Sequence, residues 1–106
     1  MAKLPLQFHP EARLEALDAY SWYFDRSPRA AEGFQAELGR AGEAIQESPE
    51  RFGNYLHGTR RYLMKRYPYL VVYRPTPNRI EIVAVAHGHR RPGYWKTRLN
   101  RPQNPT

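Results

Sequence analysis

The sequence predicts an α+β domain: a two-helix hairpin packed on a small, mainly antiparallel four-stranded sheet, in the order β-α-α-β-β-β. Three observations carry this. Residues 59–65, 70–74 and 79–87 are strand-like runs, broken only by Tyr67-Pro68 and by Pro75-Thr76-Pro77-Asn78. Neither break has room for a helix, so adjacent runs should pair antiparallel as a meander. Residues 10–48 hold two helix-length segments separated by Ser27-Pro28, and residues 3–8 alternate apolar and polar side chains with a period of two.

In the first strand, Leu4, Leu6 and Phe8 alternate with Lys3, Pro5 and Gln7. Pro5 cannot donate to a ladder, which predicts an edge position or a strand start. Pro10 suits a first helical position and Glu11 the first turn. The first helix is expected over residues 11–26, with Leu14, Leu17 and Phe24 on one apolar stripe flanked by Ala16, Tyr20 and Tyr23. Ser27-Pro28 restarts a second helix, serine as N-cap and proline behind it. Ala31, Phe34, Leu38, Ala41 and Ile45 recur at spacings of three and four, and Ser48-Pro49 stops the helix. Gly39 and Gly42 are poor helix formers and are read as allowing close approach to the first helix.

Residues 49–58 read as a loop with Phe52, Tyr55 and Leu56 under the sheet and His57 in a structural role. In the second strand Tyr62 and Met64 should face the helices, leaving Arg61, Leu63 and Lys65 on the other face. The third and fourth strands are apolar on both faces and therefore central. In the fourth, Val83, Val85 and His87 are expected to alternate with Ile82, Ala84 and Ala86. Residues 1–100 form the single expected domain, and residues 101–106 lack apolar anchors and are expected to be disordered.

The 106 residues carry a net charge of +7, unevenly placed. Residues 1–58 hold 6 basic and 9 acidic side chains, net −3; residues 59–106 hold 11 basic and one acidic, Glu81, net +10. A basic half of this kind implies a polyanionic or strongly acidic partner. No run of ~20 apolar residues predicts a membrane span, and no apolar leader opens the sequence. The chain has no cysteine, which excludes disulfides and thiolate metal sites and fits a cytoplasmic location.

Phosphate-loop, dinucleotide-binding and nucleophile-elbow motifs are absent. His87-Gly88-His89 lacks an evident third ligand, so no metal and no cofactor is expected. What remains is a cationic site with a histidine and a tyrosine, a set suited to cleaving RNA through its 2′-hydroxyl. His87 can act as acid or base near neutral pH. Arg74 with Arg90 or Arg91 can grip phosphate oxygens, and Tyr94 and Trp95 can stack on bases. Arg74 also has a structural alternative, an ion pair with Glu81 across the hairpin.

The segments RRYLMKRYPYLVVYR and RIEIVAVAHGHRRPGYW, behind a two-helix hairpin, resemble RelE/ParE-type toxins of bacterial toxin–antitoxin modules. The resemblance covers roughly residues 4–95. It implies a growth-arresting toxin neutralised by a cognate antitoxin that wraps it. In the RelE-like branch the toxin cuts mRNA on the ribosome as a metal-independent endoribonuclease. The roles would then fall on Lys65, Arg74, His87, Arg90 and Tyr94 as catalytic residues, with Arg60, Arg61, Arg66, Arg91 and Trp95 binding RNA. In the ParE-like branch the toxin poisons DNA gyrase and needs no nuclease site. A third reading is a non-toxic, antitoxin-binding relative. The sequence-based expectation favours the ribosome and mRNA, with gyrase as the alternative.

Overall fold

The computed structural model describes residues 3–100. Its elements follow the expected order: β1 (Leu6–Phe8), α1 (Pro10–Arg26), α2 (Pro28–Glu47), β2 (Arg60–Leu63), β3 (Tyr69–Pro75) and β4 (Ile80–His87). Short 3-10 turns cover Leu56–Gly58 and Lys96–Asn100. The expected disordered tail, residues 101–106, lies outside the described residues.

The sheet order is β1-β4-β3-β2, with β2, β3 and β4 antiparallel and β1 parallel to β4. Pro5 precedes an edge strand, and its carbonyl accepts from the Ile80 amide at 2.9 Å. His9 accepts from the Glu11 amide through its side chain, capping α1 before Pro10. Ser27 alone joins the two helices. Its amide donates to the Tyr23 carbonyl and its hydroxyl accepts from the Ala30 amide, so one residue ends α1 and starts α2.

The helices cover one face of the sheet. Phe34, Ala41 and Ile45 of α2 pack there with Met64, Val71, Tyr73, Ile80, Ile82 and Val85. Tyr62 and Met64 face the helices as predicted, and Leu63 points away with 60% exposure. Tyr73 is fully buried and donates its hydroxyl to the Pro49 carbonyl. Buried Glu37 of α2 accepts from the Lys65 and Arg66 amides, fixing the turn between β2 and β3.

Three expectations are corrected. The stripe Leu14, Leu17 and Phe24 is half-exposed; α1 instead seats on the sheet through Ala12 and Ala19, both buried. Alanines let the helix backbone approach closely, which a leucine stripe would prevent. The glycines of α2 do not meet α1: a Cβ at Gly42 would touch Leu6 of β1 at 3.0 Å, and one at Gly39 would meet nothing within 4 Å. The close approach is at Gly33, where a Cβ would lie 2.4 Å from the Tyr67 hydroxyl.

The third correction concerns β4. Val72 pairs with Ala84 and Tyr73 with Ile82, leaving Val83 as the extra residue of a β-bulge. The alternation therefore slips by one. Ile82 and Val85 share the helix side, and Val83, Ala84 and Ala86 pack on the opposite face with Val72 and Trp95.

Candidate functional site

The bulge and the chain after β4 build the site. Beyond His87 the chain turns through Gly88 and Pro92, and Gly93 takes a φ of +83°, a conformation open to glycine. This returns the chain over the open sheet face. Trp95 inserts there with 1% exposure, against Val72, Val83, Ala84 and Ala86. Arg98 then reaches across the margin of β4, where β1 has already ended.

Glu15 of α1 receives this segment. Its carboxylate accepts two hydrogen bonds from Arg98, Nη1 to Oε1 at 3.0 Å and Nη2 to Oε2 at 2.9 Å. It also accepts from the Tyr94 hydroxyl and from the Val85 amide. Arg98 Nη1 donates to the Val83 carbonyl at the bulge. The two β4 groups flanking the bulge, one donor and one acceptor, are thus satisfied by one ion pair. Burial, and then the hydrogen bond to Glu15, push the Tyr94 hydroxyl well above the usual tyrosine pKa. Burial alone would lower Arg98, but the Glu15 hydrogen bond and charge hold its pKa raised.

A depression of about 170 Å³ beside this cluster gathers six of the ten predicted site residues: Arg61, His87, Arg90, Arg91, Tyr94 and Trp95. His87 ends β4 opposite Tyr69, and their rings meet edge-on at 5.0 Å. Its Nδ1 accepts from the His89 amide, and the two imidazole rings are 5.0 Å apart. The Arg90 guanidinium lies 3.8 Å from the centre of the Tyr94 ring, and that of Arg61 4.7 Å from the Tyr55 ring. The result is a cationic concavity walled by aromatics.

The remaining four predicted residues are elsewhere. Arg74 is paired with Glu81, Nη2 to Oε1 at 2.7 Å, five positions along β3 from the residue facing His87. That is roughly 17 Å at strand rise. Arg60 donates to the Glu50 and Phe52 carbonyls and holds the preceding loop. Lys65 lines a groove along β2 with Arg51, Phe52 and Arg61, and Arg66 is exposed in the turn after it. Two expected roles meet obstacles. Trp95 is packed away from solvent and presents no face for a base. The Tyr94 hydroxyl is donated to Glu15 rather than to the depression.

Four contributors escaped the sequence reading: Glu15, Arg98, Glu37 and Arg79. Glu15 falls among the alanines of the seated face of α1, a position at which a carboxylate needs a buried partner. Arg79 stands two residues before Glu81, hence on the same strand face. Among the described residues no group of three or more His, Cys, Asp or Glu could hold a metal ion, and no helix is long and apolar enough to cross a membrane.

Comparison with known proteins adds the family. The chain is similar to a solved structure titled "Chromosomal ParDE TA system from P. aeruginosa", with a TM-score of 0.70 and 16% identity, covering 80% of this chain and 96% of that one. At that identity the likeness speaks for the fold. No curated protein matches the chain. The family described as "ParE toxin of type II toxin-antitoxin system, parDE" matches residues 6–92, from β1 through the turn after β4. With most of its length matched, the chain belongs to the ParE toxin family of type II toxin–antitoxin systems.

Proposed function

We propose that this chain is the toxin of a two-protein module and that it arrests growth by poisoning DNA gyrase, without cutting RNA. Membership of the ParE family favours this reading over the RelE-like one. The observation that carries it is that Arg74 and the Tyr94 proton are engaged elsewhere, although His87, Arg90 and Arg91 share one depression. A 2′-hydroxyl cleavage needs a base, a phosphate grip and an acid converging within hydrogen-bond reach. Here Arg74 is held on Glu81 far from His87, and the Tyr94 proton is held by Glu15. Trp95 occupies the sheet face on which an RNA strand would lie.

The partner in this reading is a cognate antitoxin. Leu14, Leu17 and Phe24 are each about half exposed on the side of α1 away from the sheet, and Trp22, also half exposed, lines a separate cleft with His87 and Arg90. A cleft of about 400 Å³ lined by Phe8, Leu17, Tyr20, Phe34 and Leu38 extends this surface from Leu17. An apolar surface of this kind needs cover in water, and the antitoxin supplies it.

The test is induction in a bacterial host with pulse-labelling of DNA and protein, alongside purified toxin in gyrase supercoiling and cleavage assays. Halted DNA synthesis, gyrase-linked DNA breaks and intact messages are expected, with toxicity retained in His87→Ala. Messages cut on ribosomes, with toxicity lost in His87→Ala, would overturn the reading in favour of mRNA cleavage. An absence of any growth effect would leave the antitoxin-binding role alone.

A further inference from the structure

Glu81 lies on the open face of the sheet with 4% exposure, and it is the single acid of residues 59–106. Two arginines are docked on it, one on each oxygen. Arg74 donates from Nε at 3.0 Å and Nη2 at 2.7 Å to Oε1. Arg79 donates from Nε at 3.1 Å and Nη2 at 2.8 Å to Oε2. The cluster carries a net charge of +1 around a buried hub. A guanidinium has five N–H donors, so each arginine keeps both Nη1 protons and one on Nη2. Among the described residues no protein acceptor meets these donors. Both side chains reach solvent, with 35% and 33% exposure.

The frame beneath them is stiff. Pro75 and Pro77 restrict the turn between β3 and β4, and the Thr76 hydroxyl accepts from the Arg79 amide and donates to the Arg79 carbonyl. Cross-strand pairing of Arg74 with Glu81 fixes the other arginine. Two guanidinium groups oriented in advance by a shared carboxylate lose little side-chain entropy on meeting an anion.

We propose that Arg74 and Arg79, held on Glu81, form a binding clamp for a phosphate group on the open face of the sheet. Each guanidinium spends its Nε–Nη2 edge on Glu81 and keeps its Nη1–Nη2 edge, a fork of the kind that fits phosphate oxygens, and the excess of basic side chains in residues 59–106 suits a polyanion over a single carboxylate. The phosphate is either one of a nucleic-acid backbone or a free phosphate, and the clamp chemistry is common to both. The clamp stands apart from the His87 depression and does not depend on the identity of the toxin's target.

The test follows the arginine Nε–H signals of the ¹⁵N-labelled intact chain by NMR. Inorganic phosphate and a short DNA duplex are titrated into the unsubstituted protein, Arg79→Lys and Glu81→Gln, each first checked by thermal melting. The Arg74 and Arg79 signals are expected to move together with either ligand. Arg79→Lys keeps the charge and the ion pair yet loses the fork, and should weaken phosphate binding about tenfold. Glu81→Gln raises the net charge by one yet frees both arginines, and should also weaken it. Duplex binding at least about a hundredfold tighter than phosphate, with a salt slope reduced in Arg79→Lys, identifies a nucleic-acid backbone; equal affinity per phosphate identifies the free anion. Three results would overturn the proposal: unmoved arginine signals, tighter binding by Glu81→Gln, or a glutamate-rich peptide that outcompetes phosphate. The first leaves the cluster a hairpin staple, the second a diffuse charge effect and the third a protein-docking site. If Glu81→Gln fails to fold, Arg79→Lys decides alone.

Discussion

Glu15 and Arg98 join the first helix to the C-terminal segment through two hydrogen bonds of one ion pair, with side-chain exposures of 16% and 13%. The pair also occupies the margin of β4 at its bulge, through the Val85 amide and the Val83 carbonyl. Removing either member leaves the other's charge unpaired and orphans one backbone group of β4, the Val83 carbonyl when Arg98 is lost and the Val85 amide when Glu15 is lost. Arg98→Ala and Glu15→Ala are each expected to cost about 2–3 kcal/mol, somewhat below a fully buried pair broken on one side. That corresponds to a fall in melting temperature on the order of 10–15 °C. A double-mutant cycle measured by urea unfolding checks it: additive effects would mean that the two residues do not couple.

Gly33 and Gly39 should respond in opposite ways to alanine, although both lie inside α2. At Gly33 the new Cβ would collide with the Tyr67 hydroxyl and displace it from the Ala30 carbonyl. Gly33→Ala should destabilise by about 1–3 kcal/mol. At Gly39 the space is open, and Gly39→Ala should stabilise by roughly 0.5–1 kcal/mol through helix propensity alone. Thermal melts of the two variants, side by side, read the difference in sign.

Stability should fall at both ends of the pH scale for identifiable reasons. Burial alone would raise the Glu81 carboxyl, but the Arg74 and Arg79 hydrogen bonds hold it below the usual range. A depressed carboxylate contributes its stabilisation above the unfolded pKa of about 4.3 and loses it as pH falls through the folded value. At the alkaline end, burial raises Tyr23, Tyr69, Tyr73 and Tyr94. Their contribution is complete below about pH 10 and declines as pH rises, because the unfolded chain releases those protons first. Tyr94→Phe should flatten the alkaline slope by about one proton, as measured by denaturant midpoints from neutral pH upward.

The two sides of α1 should differ in what they tolerate. Ala12 is fully buried against the sheet, so Ala12→Leu overpacks the seat and should cost about 1–3 kcal/mol. Leu14→Ser and Leu17→Ser alter half-exposed positions and should change stability by less than about 0.5 kcal/mol. If these leucines serve the antitoxin, the serine variants remain toxic and lose neutralisation. Co-expression with the antitoxin gene, read as growth, makes the distinction.

The sheet was legible because its β-branched runs are separated by breaks too short for anything but a tight turn. The helix boundaries were legible at Ser27 and Ser48, where capping chemistry is local. The seat of α1 was not: alanines contribute little to an apolar pattern, so the larger Leu14, Leu17 and Phe24 drew the assignment to the outer face. The bulge at Val83 left no trace, since β4 is apolar on either side of the slip. Of the candidate site, the Arg74–Glu81 alternative was readable from strand pairing, and the clustering of His87, Arg90, Arg91 and Tyr94 from their proximity in sequence. The engagement of Tyr94 by Glu15 was not readable, because 79 residues separate the two and tertiary packing alone brings them together.

The insertion of Trp95 has a consequence for synthesis. β4 must pair with β1 from the beginning of the chain, while its outer face waits for an indole and a guanidinium from residues 95 and 98. A nascent polypeptide still threaded through the ribosome at β4 has its helices and much of its meander but an uncovered apolar face. Closure comes only when the following dozen residues emerge, so the native toxin surface forms late in translation rather than progressively.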